Sequence, residues 1–188
     1  DLAIQQIGKI SDRMLDLVKN LLDVNRLESG GMTMNLVGFD IAPMVEATVY
    51  QYASQAEAKN ITLHFANEAE TSIATADEQA IMQVLDNIIS NAVKYSPHGK
   101  NVFVRIKARN EGIRVEVQDE GQGISPEDMT KLFGKFARLS ARPTGGEHST
   151  GLGLSIVKKM VEAMNGRVWC ESEVGKGATF IVELPSAQ

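Results

Sequence analysis

The sequence predicts an α+β two-layer sandwich, in which a mixed sheet packs on helices, preceded by a long amphipathic helix. Apolar residues recur every three or four positions over residues 1–28, which is the period of a helix with one apolar face. From residue 32 onward, stretches with this helical period are interleaved with stretches of alternating apolar residues, which is the pattern of strands. We therefore expect two regions, residues 1–31 and 32–188.

Composition limits the classes of protein to which the chain can belong. Of its 188 residues, 43% are hydrophobic and 23% are charged, a balance typical of globular domains in water. The net charge of −5 argues against general binding of nucleic acid or acidic membranes, and no apolar run approaches the ~20 residues that cross a membrane. Cys170 is the single cysteine, which excludes a disulfide framework and indicates a reducing, cytoplasmic compartment. Because the sequence begins with Asp1 rather than Met, we expect a piece of a longer protein.

Residues 1–28 carry the regular apolar spacing of helices that pack against one another. Steps of three and four residues join Ile7, Ile10, Met14, Leu17, Leu21 and Val24. Ser29-Gly30-Gly31 ends the helix, because glycine adopts the left-handed conformation that follows a helix C-terminus. We expect this stripe to need a partner, such as a second copy of the chain. A lone helix folded back onto the following domain is the alternative.

Capping residues and apolar patterns place the elements of the second region. Asp40, Asp77 and Ser125 can accept hydrogen bonds at helix starts, and they predict helices at 40–58, at 78–95 and after Ser125, with a further helix at 152–164. Alternating apolar residues predict strands at 61–65, 102–106, 113–117, 167–172 and 178–184, with a turn at Glu111-Gly112. Residues 137–150 are rich in glycine and polar residues, which predicts a long mobile loop.

Three short glycine motifs stand out, at residues 119–123, 151–154 and 175–177. None completes a P-loop or a dinucleotide-binding fingerprint, and the H-R-D and D-F-G motifs of eukaryotic protein kinases are absent from the sequence. The motif at 151–154 opens a helix directly after the predicted loop. Amide N–H groups at a helix start, uncovered by side chains, form a site for anions such as phosphates.

One face of the helix 78–95 is polar although the opposite face is apolar. Asn87, Asn91 and Lys94 or Tyr95 follow at intervals of about one helical turn, so they share that face. A carboxamide oxygen suits Mg²⁺, a lysine suits phosphate charge, and a tyrosine ring suits the face of an adenine. The alternative is an ordinary solvated helix face, and this helix by itself does not decide between the two.

Taken in order, these motifs resemble the ATP-binding domain of sensor histidine kinases, part of the gyrase, chaperone, histidine kinase and mismatch-repair ATPase superfamily. The order is an Asn-x-x-x-Asn helix ending in Lys-Tyr-Ser, then Asp-x-Gly-x-Gly, Phe133 and Phe136, Gly-Leu-Gly-Leu, and Gly-x-Gly-x-x-Phe. The resemblance covers the whole chain and implies a Bergerat-type catalytic ATP-binding domain over residues 32–188. Residues 21–30 resemble the end of the second helix of the dimerisation and histidine-phosphotransfer hairpin, so residues 1–31 would be that helix.

The resemblance implies a role for each residue around the base of ATP. Asp119 would accept a hydrogen bond from the adenine amine, since a carboxylate is an acceptor and this amine is a donor. Tyr95 would pack on the purine. The pocket would also contain two glycines whose backbone passes close to the base, an apolar wall and a nearby hydroxyl: Gly121, Gly123, Ile124 and Thr179.

By the same resemblance, the phosphates and a Mg²⁺ ion would lie at the other end of the site. Asn91 would ligate Mg²⁺, with Asn87 beside the phosphates and Lys94 in contact with them. The loop 137–150 would be the ATP lid, from which Arg138 would reach the γ-phosphate with help from Lys135. The amides that would bind phosphate belong to Gly151, Leu152 and Gly153.

The implied reaction is transfer of the γ-phosphoryl group of ATP to a histidine, and then to an aspartate of a response-regulator receiver domain. The family's phosphoacceptor histidine is followed by Glu or Asp and an Arg/Lys-Thr/Asn-Pro tail, and none of His64, His98 and His148 is followed by this pattern. We therefore expect a fragment that binds Mg·ATP but does not phosphorylate itself. Its parent would form a homodimer through the helical hairpin, and this segment would contact neither nucleic acid nor membrane.

Three other functions fit parts of the pattern. ATPases of the gyrase or mismatch-repair kind, and anti-sigma-factor serine kinases, carry a glutamate four residues before the Mg²⁺-binding asparagine. That position is Asn87, whose amide cannot take a proton as a general base. A nucleotide-gated interaction module without catalysis would be expected to have lost Asn91, Lys94 or a glycine motif, and all of these are present.

Overall fold

The computed structural model describes residues 2–30, 33–110, 112–137, 139–147 and 149–187. The chain divides into two compact units, Asp1–Thr33 and Met34–Gln188. The first consists mainly of the helix α1 (Leu2–Glu28). Five residues of its predicted apolar stripe are between 42% and 64% exposed: Ile7, Ile10, Met14, Leu17 and Leu21. Within the described ranges, no helix is both long and apolar enough to cross a membrane.

The second unit contains the remaining helices and all strands of the described residues. Its helices are α2 (Ala42–Gln51), α3 (Ala53–Ala58), α4 (Glu78–Tyr95), α5 (Pro126–Met129) and α6 (Gly153–Ala163). Its strands are β1 (Val37–Asp40), β2 (Thr62–Asn67), β3 (Ile73–Ala76), β4 (Asn101–Arg109), β5 (Gly112–Asp119), β6 (Arg167–Glu173) and β7 (Gly177–Pro185).

Five of these strands form a mixed sheet in the order β2-β4-β5-β7-β6, while β1 pairs separately with β3. β2 runs parallel to β4, and the other neighbours in the sheet are antiparallel. Alternate side chains along β4 and β5 are buried: Val102, Val104, Ile106, Ile113, Val115 and Val117. Because α4 packs on β5 and α6 packs on α4 and β6, the core lies between the sheet and these two helices. The predicted α+β sandwich with a mixed sheet is confirmed.

The opposite face of the sheet carries ion pairs and is largely exposed to solvent. Glu183 forms ion pairs with Arg114 and with Arg167, the latter at 2.7 Å. Both guanidinium groups lie 5.1 Å from the centroid of the Trp169 ring, within the range of a cation–π contact. This face is therefore mostly polar, although Ile181 is buried on it beside Trp169, and the main core lies on the other side of the sheet.

Two of the three predicted helix caps are present. Asp77 Oδ1 accepts the amide of Ala80 at 2.9 Å, and Ser125 Oγ accepts the amide of Asp128 at 3.1 Å. Asp40 is instead the last residue of β1, so α2 begins after Ile41. The Asp40 carboxylate still accepts the Ala42 amide at 3.0 Å, which explains the helix-start signal in the sequence.

Other predictions were wrong or lie outside the described residues. The predicted helix 40–58 is broken at Tyr52, whose φ of −92° and ψ of 1° leave the helical region. The buried Tyr52 ring places its hydroxyl to donate to Asp86 Oδ1 at 2.5 Å. β1 and β3 were not predicted, because four residues are too few to show an alternating pattern. Gly31 of the predicted helix end and Glu111 of the predicted turn are outside the described ranges.

Candidate nucleotide-binding site

Asp119 is a buried carboxylate at the end of β5. It lies between β4 and β7, opposite Val102 and Ala178, and is 6% exposed. Its Oδ1 accepts the amides of Gly121 at 2.8 Å and of Ala178 at 3.3 Å. Burial raises the pKa of Asp119 to about 6, although both amides act to lower it. The site therefore holds an acceptor that is charged at neutral pH and shielded from water.

The third glycine motif packs directly on the backbone of Asp119. Gly177 has a φ of +87°, and a Cβ added to it would lie 1.9 Å from the Asp119 carbonyl oxygen. Only glycine allows β7 to begin this close to β5, and Ala178 then presents its amide to the carboxylate. From the sequence, this motif contributed only to the family resemblance, and its contact with Asp119 was not predicted. The small residue Ala178, directly after Gly177, was the available signal.

The last turn of α4 meets the glycine motif 119–123. A Cβ on Gly121 would lie 3.0 Å from the carbonyl oxygen of Tyr95 and 2.7 Å from Asp119 Oδ1. Beyond it, the amide of Ile124 donates to Ser172 Oγ at 2.9 Å, which ties the motif to β6. The buried Ile124 side chain and the close approach of Gly123 to Glu173 fix the rest of the motif. The predicted base residues Tyr95, Asp119, Gly121, Gly123 and Ile124 are thus neighbours.

The first residue of α6 lies against Asn87 of α4. A Cβ on Gly153 would lie 2.6 Å from Asn87 Oδ1, and the Asn87 Nδ2 donates to the Gln83 carbonyl at 2.9 Å. The bond to Gln83 turns the amide oxygen toward α6. Leu152, the N-cap of α6, makes no side-chain capping hydrogen bond. The Leu152 amide donates to Thr150 Oγ1 at 3.3 Å, and the amide oxygen of Asn87 lies beside the start of α6, at the positive end of its dipole.

The polar face of α4 is as the sequence predicted. Asn87, Asn91, Lys94 and Tyr95 are half-buried. The opposite face is buried in the core and consists of Ala80, Ile81, Val84, Leu85, Ile88, Ile89, Ala92 and Val93. A helix with this division places its polar side chains along the border between core and solvent.

Three predicted residues are not placed at the site by the structure. Thr179 pairs with Gln118, and because side chains alternate along β7, its hydroxyl lies on the other face of the sheet from Asp119. Ala178 is the residue that reaches Asp119 instead. Lys135 is exposed in the turns that follow α5, and Arg138 lies outside the described residues.

The described part of the loop 137–150 runs alongside the site and is tied to it by hydrogen bonds. The Ser140 amide donates to Asp128 Oδ2 at 2.8 Å, and its hydroxyl donates to the same oxygen. Gln122 Nε2 donates to the Arg142 carbonyl at 3.1 Å. Thr144 Oγ1 donates to the Ser96 carbonyl at 2.6 Å, directly after α4. The loop therefore borders the glycine motif 119–123 and the end of α4.

This arrangement suits a ligand with a hydrogen-bond donor at one end and negative charge at the other. The acceptor Asp119 and the apolar Ile124 lie at the first end. The start of α6 and the polar face of α4 lie at the second. An adenine nucleotide has both properties, since its base carries an amine and its phosphates carry negative charge.

Comparison with known protein families and relatives agrees with this chemistry. A family model described as histidine kinase-, DNA gyrase B-, and HSP90-like ATPase matches residues 76–188. The sensor protein SrrB of Staphylococcus aureus strain MRSA252 is 33% identical over 178 residues, which are 95% of this chain and 30% of SrrB. The chain thus spans about a third of the length of the curated relatives it matches.

Solved structures give the same assignment. Full-length ShkA in complex with AMPPNP matches with a TM-score of 0.84 and 29% identity, over 96% of this chain and 37% of that chain. Histidine kinase ThkA in complex with the response regulator protein TrrA shares the fold, with a TM-score of 0.74 and 23% identity, over 96% of this chain and 49% of that chain. The chain therefore belongs to the family of histidine kinase-, DNA gyrase B-, and HSP90-like ATPases, and within it has the ATP-binding domain of a sensor histidine kinase.

Proposed function

We propose that the second unit binds ATP with the adenine at Asp119 and the phosphates at the start of α6. One observation carries the proposal: β5, α4 and α6 meet through the close approaches of Gly121 to Tyr95 and of Gly153 to Asn87. Because two amides occupy Asp119 Oδ1, we assign Oδ2 as the acceptor for the adenine amine. The complex of ShkA with AMPPNP supports a ligand of this chemistry.

The residues present fit a Mg²⁺ ion at the phosphate end. Within the described ranges, no cluster of three or more His, Cys, Asp or Glu side chains could hold a metal without a ligand. Asn87 and Asn91 instead offer amide oxygens on one face of α4, and Asn87 Oδ1 is turned toward α6. Mg²⁺ accepts few protein ligands when phosphate oxygens and water complete its octahedron. When bound, it would neutralise charge on the phosphates.

The reaction that we propose is transfer of the γ-phosphoryl group to a histidine outside this chain. Lys94 would balance phosphate charge from α4, and Lys135 and Arg138 would do so from the loop side, as the family resemblance implies. Catalysis of this kind consists of positioning and charge stabilisation. Asn87 stands where related ATPases have a general base, and an amide that donates to Gln83 cannot take a proton from water. This difference favours transfer over hydrolysis.

The partners in the proposal follow from the same family. ThkA, which shares the fold, has been solved with the response regulator TrrA, and this supports a receiver domain as the final acceptor. The exposed apolar stripe of α1 is the surface through which we propose that a longer parent protein dimerises. A cytoplasmic location is part of the proposal, because the phosphoryl donor and the receiver domain are both found there.

Calorimetric titration with AMPPNP, with and without Mg²⁺, tests the binding step. We expect binding that strengthens when Mg²⁺ is present, whereas a folded chain that binds no analogue would contradict the proposal. To test transfer, a phosphoacceptor helix would be joined before residue 1 and the product incubated with ATP labelled at the γ-phosphate. Label on the added histidine supports the kinase function. Phosphate release without labelling would favour an ATPase, and binding with neither would favour an interaction module.

A further inference from the structure

Lys59 has three hydrogen-bond partners although it is only 6% exposed. It directly follows α3, and its Nζ donates to the carbonyl oxygens of Val93 at 2.8 Å and Lys94 at 3.0 Å. Its third partner is Glu147 Oε1, at 3.2 Å. Val93 and Lys94 belong to the last turn of α4, whereas Glu147 belongs to the loop 137–150. Lys59 thus connects the helix that carries the polar face with the loop that borders the site.

The chemistry of the ammonium group explains why a lysine can be buried here. An ammonium has three N–H donors and no acceptor, and these three partners use all of its donors. The last carbonyls of a helix have no partner within the helix and form the negative end of its dipole. Two of the acceptors are therefore permanent parts of α4. The third depends on where the loop lies.

The loop makes further bonds to the same end of α4. Thr144 donates from its amide to the Lys94 carbonyl at 3.1 Å, and from Oγ1 to the Ser96 carbonyl at 2.6 Å. Glu147 Oε2 accepts the Gly145 amide at 2.7 Å. Burial opposes ionisation of Glu147, but the amides of Glu147 and Gly145 and the Lys59 ammonium together lower its pKa. Glu147 is consequently charged at neutral pH and pairs with Lys59.

We propose that Lys59 is a positioning residue that couples the loop 137–150 to the last turn of α4, the turn that carries Lys94 and Tyr95. The inference rests on the proposed function, because it concerns the affinity of the same site for ATP. When Glu147 leaves, the Lys59 ammonium loses its carboxylate partner and one of its three acceptors, which is unfavourable. The position of the loop and the geometry of the end of α4 therefore change together, and nucleotide affinity depends on the Lys59–Glu147 pair.

The variant Glu147→Met tests this coupling, because it removes the loop carboxylate and leaves Lys59 on α4. We would measure affinity for AMPPNP with Mg²⁺ by calorimetry, and amide hydrogen exchange segment by segment. The expected result is about three- to tenfold weaker binding, with faster exchange confined to residues 139–147 and the end of α4. Thr144→Val is a second variant on the same loop, with a smaller effect in the same direction. Glu162→Met is the matched control, since it removes an exposed pair with Lys158.

Each outcome decides for or against the coupling. Weaker binding with exchange confined to the loop and the end of α4, and no change in the control, supports it. Faster amide exchange in the loop of Glu147→Met with unchanged affinity overturns the coupling. Faster exchange across β4 and β5 also overturns it, because it would indicate general destabilisation. A wild-type chain that binds no AMPPNP overturns the proposed function, and this inference with it. Wild-type binding together with an unaffected Glu147→Met variant overturns only the inference.

Discussion

The base end of the proposed nucleotide site and the loop 137–150 beside it are built in different ways. At the base end, the backbone holds the functional group, because Asp119 accepts the amides of Gly121 and Ala178 and packs on Gly177. The loop, which borders the glycine motif 119–123 and the end of α4, is held largely by side-chain bonds, such as those of Lys59 and Asp128. The base end is therefore fixed by backbone contacts and the loop by polar side-chain bonds.

Because of this difference, the base end and the loop should differ in how readily they move. Amides inside a sheet cannot move without local unfolding, whereas a side-chain bond at a loop can break and re-form on its own. We infer that the base end is preformed and that the position of the loop adjusts the affinity of the site. Changes at the base end should then reduce nucleotide binding strongly, and those that disturb the backbone should also reduce stability. Changes in the loop should reduce affinity with little loss of stability.

Gly177→Ala is expected to have the largest effect, because it disrupts the base end at its backbone. The new Cβ would lie 1.9 Å from the Asp119 carbonyl oxygen, and the φ of +87° is unfavourable for alanine. We expect the free energy of unfolding to fall by about 3 kcal/mol or more, with loss of AMPPNP binding. Urea denaturation followed by Trp169 fluorescence, together with calorimetry, would measure both quantities.

Gly175→Ala is the matched control for that prediction. Gly175 lies in the same turn with a φ of +83°, but no described atom lies within 4 Å of a Cβ added there. We expect the free energy of unfolding to fall by only about 1 kcal/mol, from backbone strain alone, with nucleotide binding retained. Equal losses in the two variants would show that strain, rather than the contact with Asp119, decides the outcome.

Asp119→Asn is expected to separate binding from stability at the base end. The variant loses the charged acceptor for the adenine amine, so AMPPNP affinity should fall by about 10- to 100-fold. Its free energy of unfolding should not fall, because burying the ionised carboxylate is unfavourable, as the pKa of about 6 indicates. A variant that binds weakly because it has unfolded would argue against this assignment, and thermal denaturation distinguishes the two cases.

The pH dependence of AMPPNP binding tests the role of Asp119 through a smaller expected change in affinity. Its pKa of about 6 means that the carboxylate is protonated below that pH and loses capacity as an acceptor. Relative to Asp119→Asn, wild-type affinity for AMPPNP should fall by about fivefold from pH 6 to pH 5. Comparison with the variant removes the contribution of the analogue's own phosphates. A ratio that does not change with pH would exclude Asp119 as the acceptor.

The pKa of Asp119 also determines how the free energy of unfolding changes with pH. The pKa of Asp119 in the folded chain is about 6, above the ordinary value of 3.8. Its protonated form therefore favours the folded state, and this contribution is lost as the pH rises from about 4 to 6. Over that window, the stability of the wild type relative to Asp119→Asn should fall by up to about 3 kcal/mol. Denaturation curves at several pH values would measure the difference.

The polar face of α4 could be predicted from sequence because its signals are local, whereas one residue of the base end was assigned to the wrong face of a strand. Asp77 and the apolar face of α4 indicate one helix, so the shared face of Asn87, Asn91 and Lys94 followed from helical spacing. Thr179 was placed near the pocket, yet alternation along β7 puts its side chain on the other face of the sheet. The error was one residue, which is enough to exchange the two faces of a strand.

The loop contacts could not be predicted because they join residues far apart in the chain. Lys59 and Glu147 are separated by 88 positions, and Thr144 and Ser96 by 48. No short motif marks either pair. The break at Tyr52 has the same origin, since its hydroxyl bonds to Asp86, 34 residues away. Local propensity gives no information about such contacts, which depend on how the helices pack.

Ser140→Ala should have the smallest effect and measures how much the other end of the loop matters. The variant removes the hydroxyl bond to Asp128 Oδ2 but keeps the amide bond at 2.8 Å to the same oxygen. We expect faster amide exchange near residue 140 and a loss of AMPPNP affinity of about twofold or less. Ser149→Ala, an exposed serine in the same loop, is the control. An effect of Ser140→Ala larger than that of Glu147→Met would mean that the contact with α5, and not Lys59, holds the loop in place.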